Sequence, residues 1–403
     1  MNKRIILRLA LASIIFLISV LQLSKYNEEF FLIESRGDNT NYLSADFIID
    51  EMNNKNLGPI LKEGDKKFKI AVVQSGEYYA YIDYFSNMLE GLKEIGWLND
   101  VDLPKEADSM LSFLEELNSI SYSDYVEFSV DLFFDMEWDT ERMKSSEFSS
   151  IKNSDNIDLI ISLGTSSTRY ISKIGDFPIP VLGDGISDPV GAGISKSYED
   201  SGKDFLTVMC DPSVYLRQVR LFHDIVGFER LGVLYTDTVE GRSYAALRDV
   251  EKVSQERGFD MVGFTKYLIE EEVPEADDMF LKALKELSPH IDAIYLNPSA
   301  GVNINNLPNI LKILNNHKIP SFVMMGSMYV ENGVLYGVSM EELTSAGIYN
   351  AKKVEMILHG YKPRELNQLF EHNPRISVNL KTAKSLNYDV PVDLLLSTDE
   401  IYY

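Results

Sequence analysis

Residues 157–193 read IDLIISLGTSSTRYISKIGDFPIPVLGDGISDPVGAG, and the fold follows from how this stretch is divided. Ile157, Leu159, Ile160, Ile161 and Leu163 make a short, nearly continuous apolar run, the pattern of a strand covered on both faces. Gly164-Thr165-Ser166-Ser167-Thr168 follows where a helix begins, and such a turn offers backbone N–H groups and hydroxyls to an anionic or polar ligand group. Pro180-Val181-Leu182-Gly183 is the next strand, with Asp184-Gly185-Ile186-Ser187-Asp188-Pro189 at its carboxyl end. Parallel α/β sheets take their ligands in the crevice beyond such ends. The same residues also fit two ordinary βα connections, which need small residues whatever the protein binds.

Outward from this stretch the alternation repeats. Phe68 to Gln74 reads as a strand, with Ser75-Gly76-Glu77-Tyr78-Tyr79 as its exit turn. Tyr84, Phe85, Met88, Leu89 and Leu92 then give one apolar stripe of a helix ending at Gly96. Residues 100–124 read as an added helix between acidic loops, and Tyr125 to Met136 as a strand. Asp135, Glu137 and Asp139 would share one face if that strand continued, as a solvated strand end or a cation site; no calcium-loop spacing accompanies them. Later strands are expected at 205–210, 231–235, 261–264, 291–296, 321–325 and 334–338. Helices are expected from Asp211-Pro212-Ser213 onward, up to Gly258, over 275–287 and 305–317, and across 340–359. About ten short strands alternating with helices mean parallel α/β sheets, and too many strands for one small sheet, so two βα lobes are expected.

The chain has 403 residues, 45% hydrophobic and 11% aromatic, enough for two or three real cores. Its 38 Lys plus Arg against 62 Asp plus Glu give a net charge of −24. That excess of acid argues against nucleic acid as a partner, because phosphate binding requires basic groups that displace counterions. Cys210 is the single cysteine, so an intrachain disulfide and a thiolate zinc cluster are excluded. His223, His290, His317, His359 and His372 show no metal-ligand spacing. At the amino terminus, basic Lys3 and Arg4 precede an apolar stretch from Ile5 to Leu23, the pattern of an export signal. It lacks a clear cleavage site and a lipoprotein cysteine, so residues 1–25 read as a signal peptide or a membrane anchor, with the remainder outside the cytoplasm either way.

These landmarks together resemble the exported solute-binding proteins of ABC transporters, the family that includes tryptophan- and other aromatic amino-acid-binding members. The resemblance covers roughly residues 68 to 401. Its most specific part is Val378-Asn379-Leu380-Lys381-Thr382-Ala383-Lys384-Ser385-Leu386, followed by Val390-Pro391 and Asp399-Glu400-Ile401. Residues 161–166 (ISLGTS), 188–193 (DPVGAG), 230–235 (RLGVLY), 291–295 (IDAIY) and Ile319-Pro320 also fit. The resemblance implies a type I periplasmic binding protein architecture: two Rossmann-like lobes with parallel sheets, joined by a hinge. Crossings are expected near Cys210-Asp211, Gly337-Val338 and Gly360. Residues 26–66 would be a linker, 67–210 plus 339–360 one lobe, and 211–338 plus 361–403 the other. The sequence departs from the family in the added 100–124 segment, in Asn297-Pro298-Ser299-Ala300 where the family commonly has Asp-Asn, and in the missing lipoprotein cysteine.

If two lobes close on a small molecule, contacts come from the turns after the strands. The first lobe offers Ser75, Gly76, Glu77 and Tyr79, then Thr165 and Ser166, then Asp184 and Asp188. Thr165 and Ser166 would hold a carboxylate, and Asp188 or Asp211 an ammonium. The second lobe offers Asp237, Thr238, Asn297, Ser299, Gly326 and Ser327. Tyr78, Tyr79 and Tyr81 could stack on an aromatic or cationic ligand. Asp188 and Asp211 read equally as turn and cap residues, Asp237 as a cap before Gly241, and Tyr81 and Tyr84 as core or surface residues. No dinucleotide fingerprint, P-loop or nucleophile elbow is present, so neither cofactor nor catalysis is expected. The expected partners are a small ligand and an ABC permease, or alternatively a membrane sensor partner that reads closure of an anchored extracellular domain.

Overall fold

The computed structural model describes residues 57–104, 107–269, 274–340, 343–371 and 374–403, all within one compact unit, Ser44–Tyr403. The expected export segment and the linker as far as residue 56 lie outside the described residues. Among the described residues no helix is long and apolar enough to cross a membrane.

Twelve strands form two sheets among the described residues. The first contains β1 (Phe68–Gln74), β2 (Val126–Asp135), β3 (Leu159–Leu163), β4 (Val181–Asp184) and β5 (Leu206–Val208), in the order β2-β1-β3-β4-β5. Every pairing in it is parallel. The second contains β6 (Arg230–Leu234), β7 (Asp260–Phe264), β8 (Ala293–Leu296), β9 (Ser321–Val323), β10 (Tyr336–Met340), β11 (Pro374–Asn379) and β12 (Glu400–Tyr402). Its order is β12-β11-β10-β9-β8-β6-β7, and only the β10–β11 pair is antiparallel. In each sheet the first strand sits between the second and third, so strand order reverses at β1/β3 and at β6/β8. A crevice opens at such a reversal, beyond the carboxyl ends of the strands.

Patterning explains the layers. All five residues of β3 are buried, as its unbroken apolar run requires. Phe85, Met88, Leu89 and Leu92 of the helix Tyr79–Glu94 are at most 1% exposed and share the core with β1 and β3. The inserted segment supplies the helix Met110–Asn118, capped by a reciprocal Ser109–Ser112 pair, which adds Met110, Phe113, Leu114 and Leu117 to that core.

The chain passes between sheets several times. After β10 in the second sheet, the helix Leu343–Leu358 packs on Tyr79–Glu94 of the first body; a Cβ on Gly91 would lie 2.6 Å from the Gly347 carbonyl oxygen. The following segment stays beside β5, where Cys210 donates its amide to Gln368 and accepts from the Phe370 amide (2.9 and 3.0 Å). That edge pairing holds the chain on the first body through Phe370, so the passage expected near Gly360 occurs later, before β11.

Three further expectations are revised. Asp135, Glu137 and Asp139 do not share an extended face, because Glu137 and Trp138 take left-handed φ of 51° and 59° and turn the chain. Asp139 instead caps a short 3-10 helix. Residues Val239–Tyr244 form a short helix, and Thr238 rather than Asp237 caps it, accepting from the Gly241 amide at 2.9 Å. Residues 57–66, expected within the linker, lie against the first body through Lys62–Asp158 (2.6 Å) and Gly58–His359 (2.8 Å) contacts.

Candidate functional site

Register brings the strand ends to one level. Gln74 pairs with Leu163 and Leu163 with Asp184, so Ser75, Gly164 and Gly185 leave the first sheet side by side. In the second sheet Leu296 pairs with Val323, placing Asn297 and Met324 together. Between these two rims lies a cavity of about 450 Å³ bounded by both bodies. That is within the range of small-molecule sites.

Among the described residues, seven aromatic and three thioether side chains are part of its wall. Tyr78, Tyr81 and Tyr84 come from the start of the helix Tyr79–Glu94, and Trp138 from the left-handed turn after β2. Gly76 leaves room for the Trp138 ring, and the Trp138 amide donates to the Ser75 carbonyl at 2.7 Å. Two successive non-glycine residues with positive φ at a cavity wall are stored strain of the kind found at binding sites. The second body contributes Tyr215, Tyr244 and Tyr329 with Met324 and Met325, and Met209, Cys210 and Asp211 line the hinge side.

Among the described residues, the charged ones lining the cavity are acids: Glu77, Asp83, Asp184 and Asp211. Asp184 accepts from Asn350 Nδ2 and from the Gly185 amide, each at 2.8 Å. Asp211 pairs with Arg217 at 2.7 Å, and Arg217 also reaches Glu371 at 3.0 Å. Burial, and secondarily Asp135, raises the Glu77 carboxyl above its ordinary range, against hydrogen bonds from Gln74 and the Met110 backbone. Met110 opens the inserted helix, so that insertion touches a residue of the cavity. Behind the wall Lys353 is fully buried, donating to the Val208 carbonyl at 2.9 Å, and burial lowers its ammonium to about 7. Burial pushes the Cys210 thiol up to about 12, which makes it an inert packing residue.

The bodies touch across the cleft. Ser166 Oγ and Tyr244 Oη are 3.0 Å apart, Arg169 pairs with Glu240, and Arg248 reaches Asp188 at 3.4 Å. The arrangement is a closed one, with polar contacts holding the two rims together.

Of the residues expected to bind, Glu77, Asp184, Asp211, Ser299 and Gly326 line the cavity, as do Tyr78 and Tyr81. The others whose side chains are described do not line it. Ser75 is buried, its Oγ accepting from the Ser167 amide at 3.0 Å, and Gly76 lies under Trp138. Tyr79 opens its helix, with its side chain outside the described residues. Thr165 is 1% exposed, its hydroxyl without a hydrogen-bond partner among the described residues. Ser166 and Asp188 belong to the closure contacts. Asp237 pairs with Arg242 in solvent, and Thr238 is a cap. Asn297 donates to the Leu234 carbonyl at 2.8 Å and shapes the turn that presents Ser299. Ser327 hydrogen-bonds Glu400. Sequence reasoning missed Trp138, in the left-handed turn after β2, Tyr215, second in the helix Val214–Val226, and Tyr244, at the end of the helix Val239–Tyr244; no pattern in the sequence singles them out.

The sequence matches the ABC transporter substrate binding protein family over residues 135–402. It is 23% identical over 320 residues to a tyrosine-binding protein of Clostridioides difficile (strain R20291), covering 77% of this chain and 84% of that one. The fold resembles that of an ABC domain from Streptococcus pneumonia in complex with L-Trp, with a TM-score of 0.62, 20% identity, 83% of this chain and 100% of that chain. It also resembles the ligand-free, open structure of a substrate binding protein with adhesive properties from Clostridium difficile, with a TM-score of 0.54, 20% identity, and 83% and 99% coverage. The two bodies have the type I periplasmic binding protein arrangement. With more than half of its length inside the family match, the chain belongs to the ABC transporter substrate-binding protein family.

Proposed function

We propose that the protein captures a small polar or aromatic, amino-acid-like ligand between its two bodies and delivers it to an ABC transporter permease. The observation that carries this reading is the closed cavity walled by aromatic rings from both bodies. A ligand touching both walls stabilises the closed form by its differential affinity for that form over the open one. Residues 67–210 with 339–370 would move as one lobe, and 211–338 with 371–403 as the other, the boundary after Phe370 following the pairing of Cys210 with Gln368 and Phe370. Tyrosine, for which the C. difficile relative is named, and tryptophan, present in the S. pneumonia structure, are the first ligands to test here. Capture and release, rather than bond chemistry, is what the proposed cycle needs. Members of this family work outside the cytoplasm, and here residues 1–25 would supply the export signal or an inner-membrane anchor.

The test is uptake. A strain lacking this protein is expected to lose saturable, high-affinity uptake of whichever compound raises the purified protein's melting midpoint. Unchanged uptake would remove the delivery role and leave a binding protein of other purpose.

A further inference from the structure

The cavity is one-sided in charge. Glu77, Asp83, Asp184 and Asp211 line it, and among the described lining residues there is no lysine, arginine or histidine. Arg217, held between Asp211 and Glu371, and the buried Lys353, which feels the charge of Asp184, lie behind the wall and do not line the space. Glu77 and Asp83 are exposed on the cavity wall and make no ion pair among the described residues, and partial burial raises both carboxyls.

An amino acid needs a seat for its carboxylate as well as its ammonium. The start of the helix Thr165–Ser172 is the natural anion seat on the first body. That helix start does not line the cavity and is crowded by the chain's own hydroxyls: Ser75 Oγ takes the Ser167 amide at 3.0 Å, Tyr81 packs its hydroxyl against Gly164, and Ser166 Oγ faces Tyr244 Oη at 3.0 Å. Tyr81, Tyr84, Trp138 and Tyr215 supply ring faces that attract a cation as well as an aromatic body.

We infer that the cavity selects an aromatic amine, an organic cation without a carboxylate, over the zwitterionic amino acid with the same side chain. The inference rests on the capture reading above and names the class of ligand captured. The ammonium would meet the carboxylates, the ring would lie among the aromatic residues, and a carboxylate would face acids with no donor set to receive it.

The experiment is calorimetric titration of the full-length protein with two matched pairs, tyramine against L-tyrosine and tryptamine against L-tryptophan. The amine of at least one pair is expected to bind about tenfold tighter or better than its amino acid. Asp83→Asn combined with Glu77→Gln, both near the mouth, is expected to shrink that ratio. If an amino acid binds as tightly as its amine, the selection is wrong while capture stands. A preference that survives the double substitution unchanged also overturns it. Heat from neither member of either pair overturns the selection too, and a melting screen with neutral and anionic metabolites then decides capture separately.

Discussion

The hydroxyl of Tyr81 fills the space that a side chain on Gly164 would need, with Ser75 Oγ at the border of the same space. Gly164 has φ of 94°, so the residue that ends β3 must be both left-handed and bare. This couples the turn after β3 to the aromatic wall. Burial raises the Tyr81 hydroxyl far above its ordinary range, so it stays protonated, with a hydrogen bond to Ser75. Gly164→Ala is expected to destabilise by about 2–4 kcal/mol, combining backbone strain with overpacking. Adding Tyr81→Phe should recover part of that loss, read as a less-than-additive double-mutant cycle in urea melts.

Closure depends on contacts between the rims. Arg169 and Glu240 have side chains 21% and 15% exposed and pair across the cleft. Truncating one partner of a buried charge pair costs about 2–5 kcal/mol, much of it from the charge left behind. Arg169→Met is therefore expected to weaken ligand binding about thirtyfold or more, and to expand the unliganded protein in solution scattering. The double variant Arg169→Met, Glu240→Gln should recover part of the affinity.

Asp249 gives a pH signature. Burial, and next the charge of Asp188 on the opposite rim, raises its carboxyl to about 7, against Arg248, Lys252 and Arg220. The unfolded chain releases this proton near 3.9, so the folded state holds more protons between about 4 and 7. Stability from this group is therefore present at low pH and lost as pH rises through 7. Asp249→Asn should raise stability by about 1–2 kcal/mol at pH 8 and by progressively less as the pH is lowered toward 4.

Lys353 titrates the opposite way. Its ammonium is lowered to about 7 by burial, opposed by Cys210 and Asp184, whereas the unfolded lysine keeps its proton to about 10.4. Between those values the unfolded state holds more protons, so stability rises with pH. Urea midpoints for the protein and for Lys353→Met should diverge in favour of the unsubstituted protein by roughly 1 kcal/mol per pH unit from about 7.5 to 9.5.

The alternation that gives the two sheets was legible because strands buried on both faces are written as unbroken apolar runs, as in β3. Which turn residues reach the ligand was less legible. Glu77, Asp184 and Asp211 could be read from their places after strands, but Thr165 and Ser166 sit among Tyr81, Ser75 and Tyr244, residues seventy-eight or more positions distant in sequence. Trp138 could not be anticipated from pattern, since it depends on a left-handed turn at Glu137 and on Gly76 beneath its ring. The late passage after Phe370 depends on edge pairing with Cys210, which has no sequence signal.

Trp138 lines the cavity and Trp97, the other tryptophan, is fully buried in the first core, so the emission of Trp138 reports on the site. The most direct measurement is a fluorescence titration of the purified protein with tyramine and L-tyrosine, run beside Trp138→Phe and Tyr215→Ala. The account predicts a saturable change in emission that disappears in Trp138→Phe, and an affinity about tenfold weaker in Tyr215→Ala, because rings from both bodies hold the ligand. Saturable binding heat with no response from Trp138, and an affinity untouched by Tyr215→Ala, would place the ligand outside the cavity and contradict capture between the two bodies.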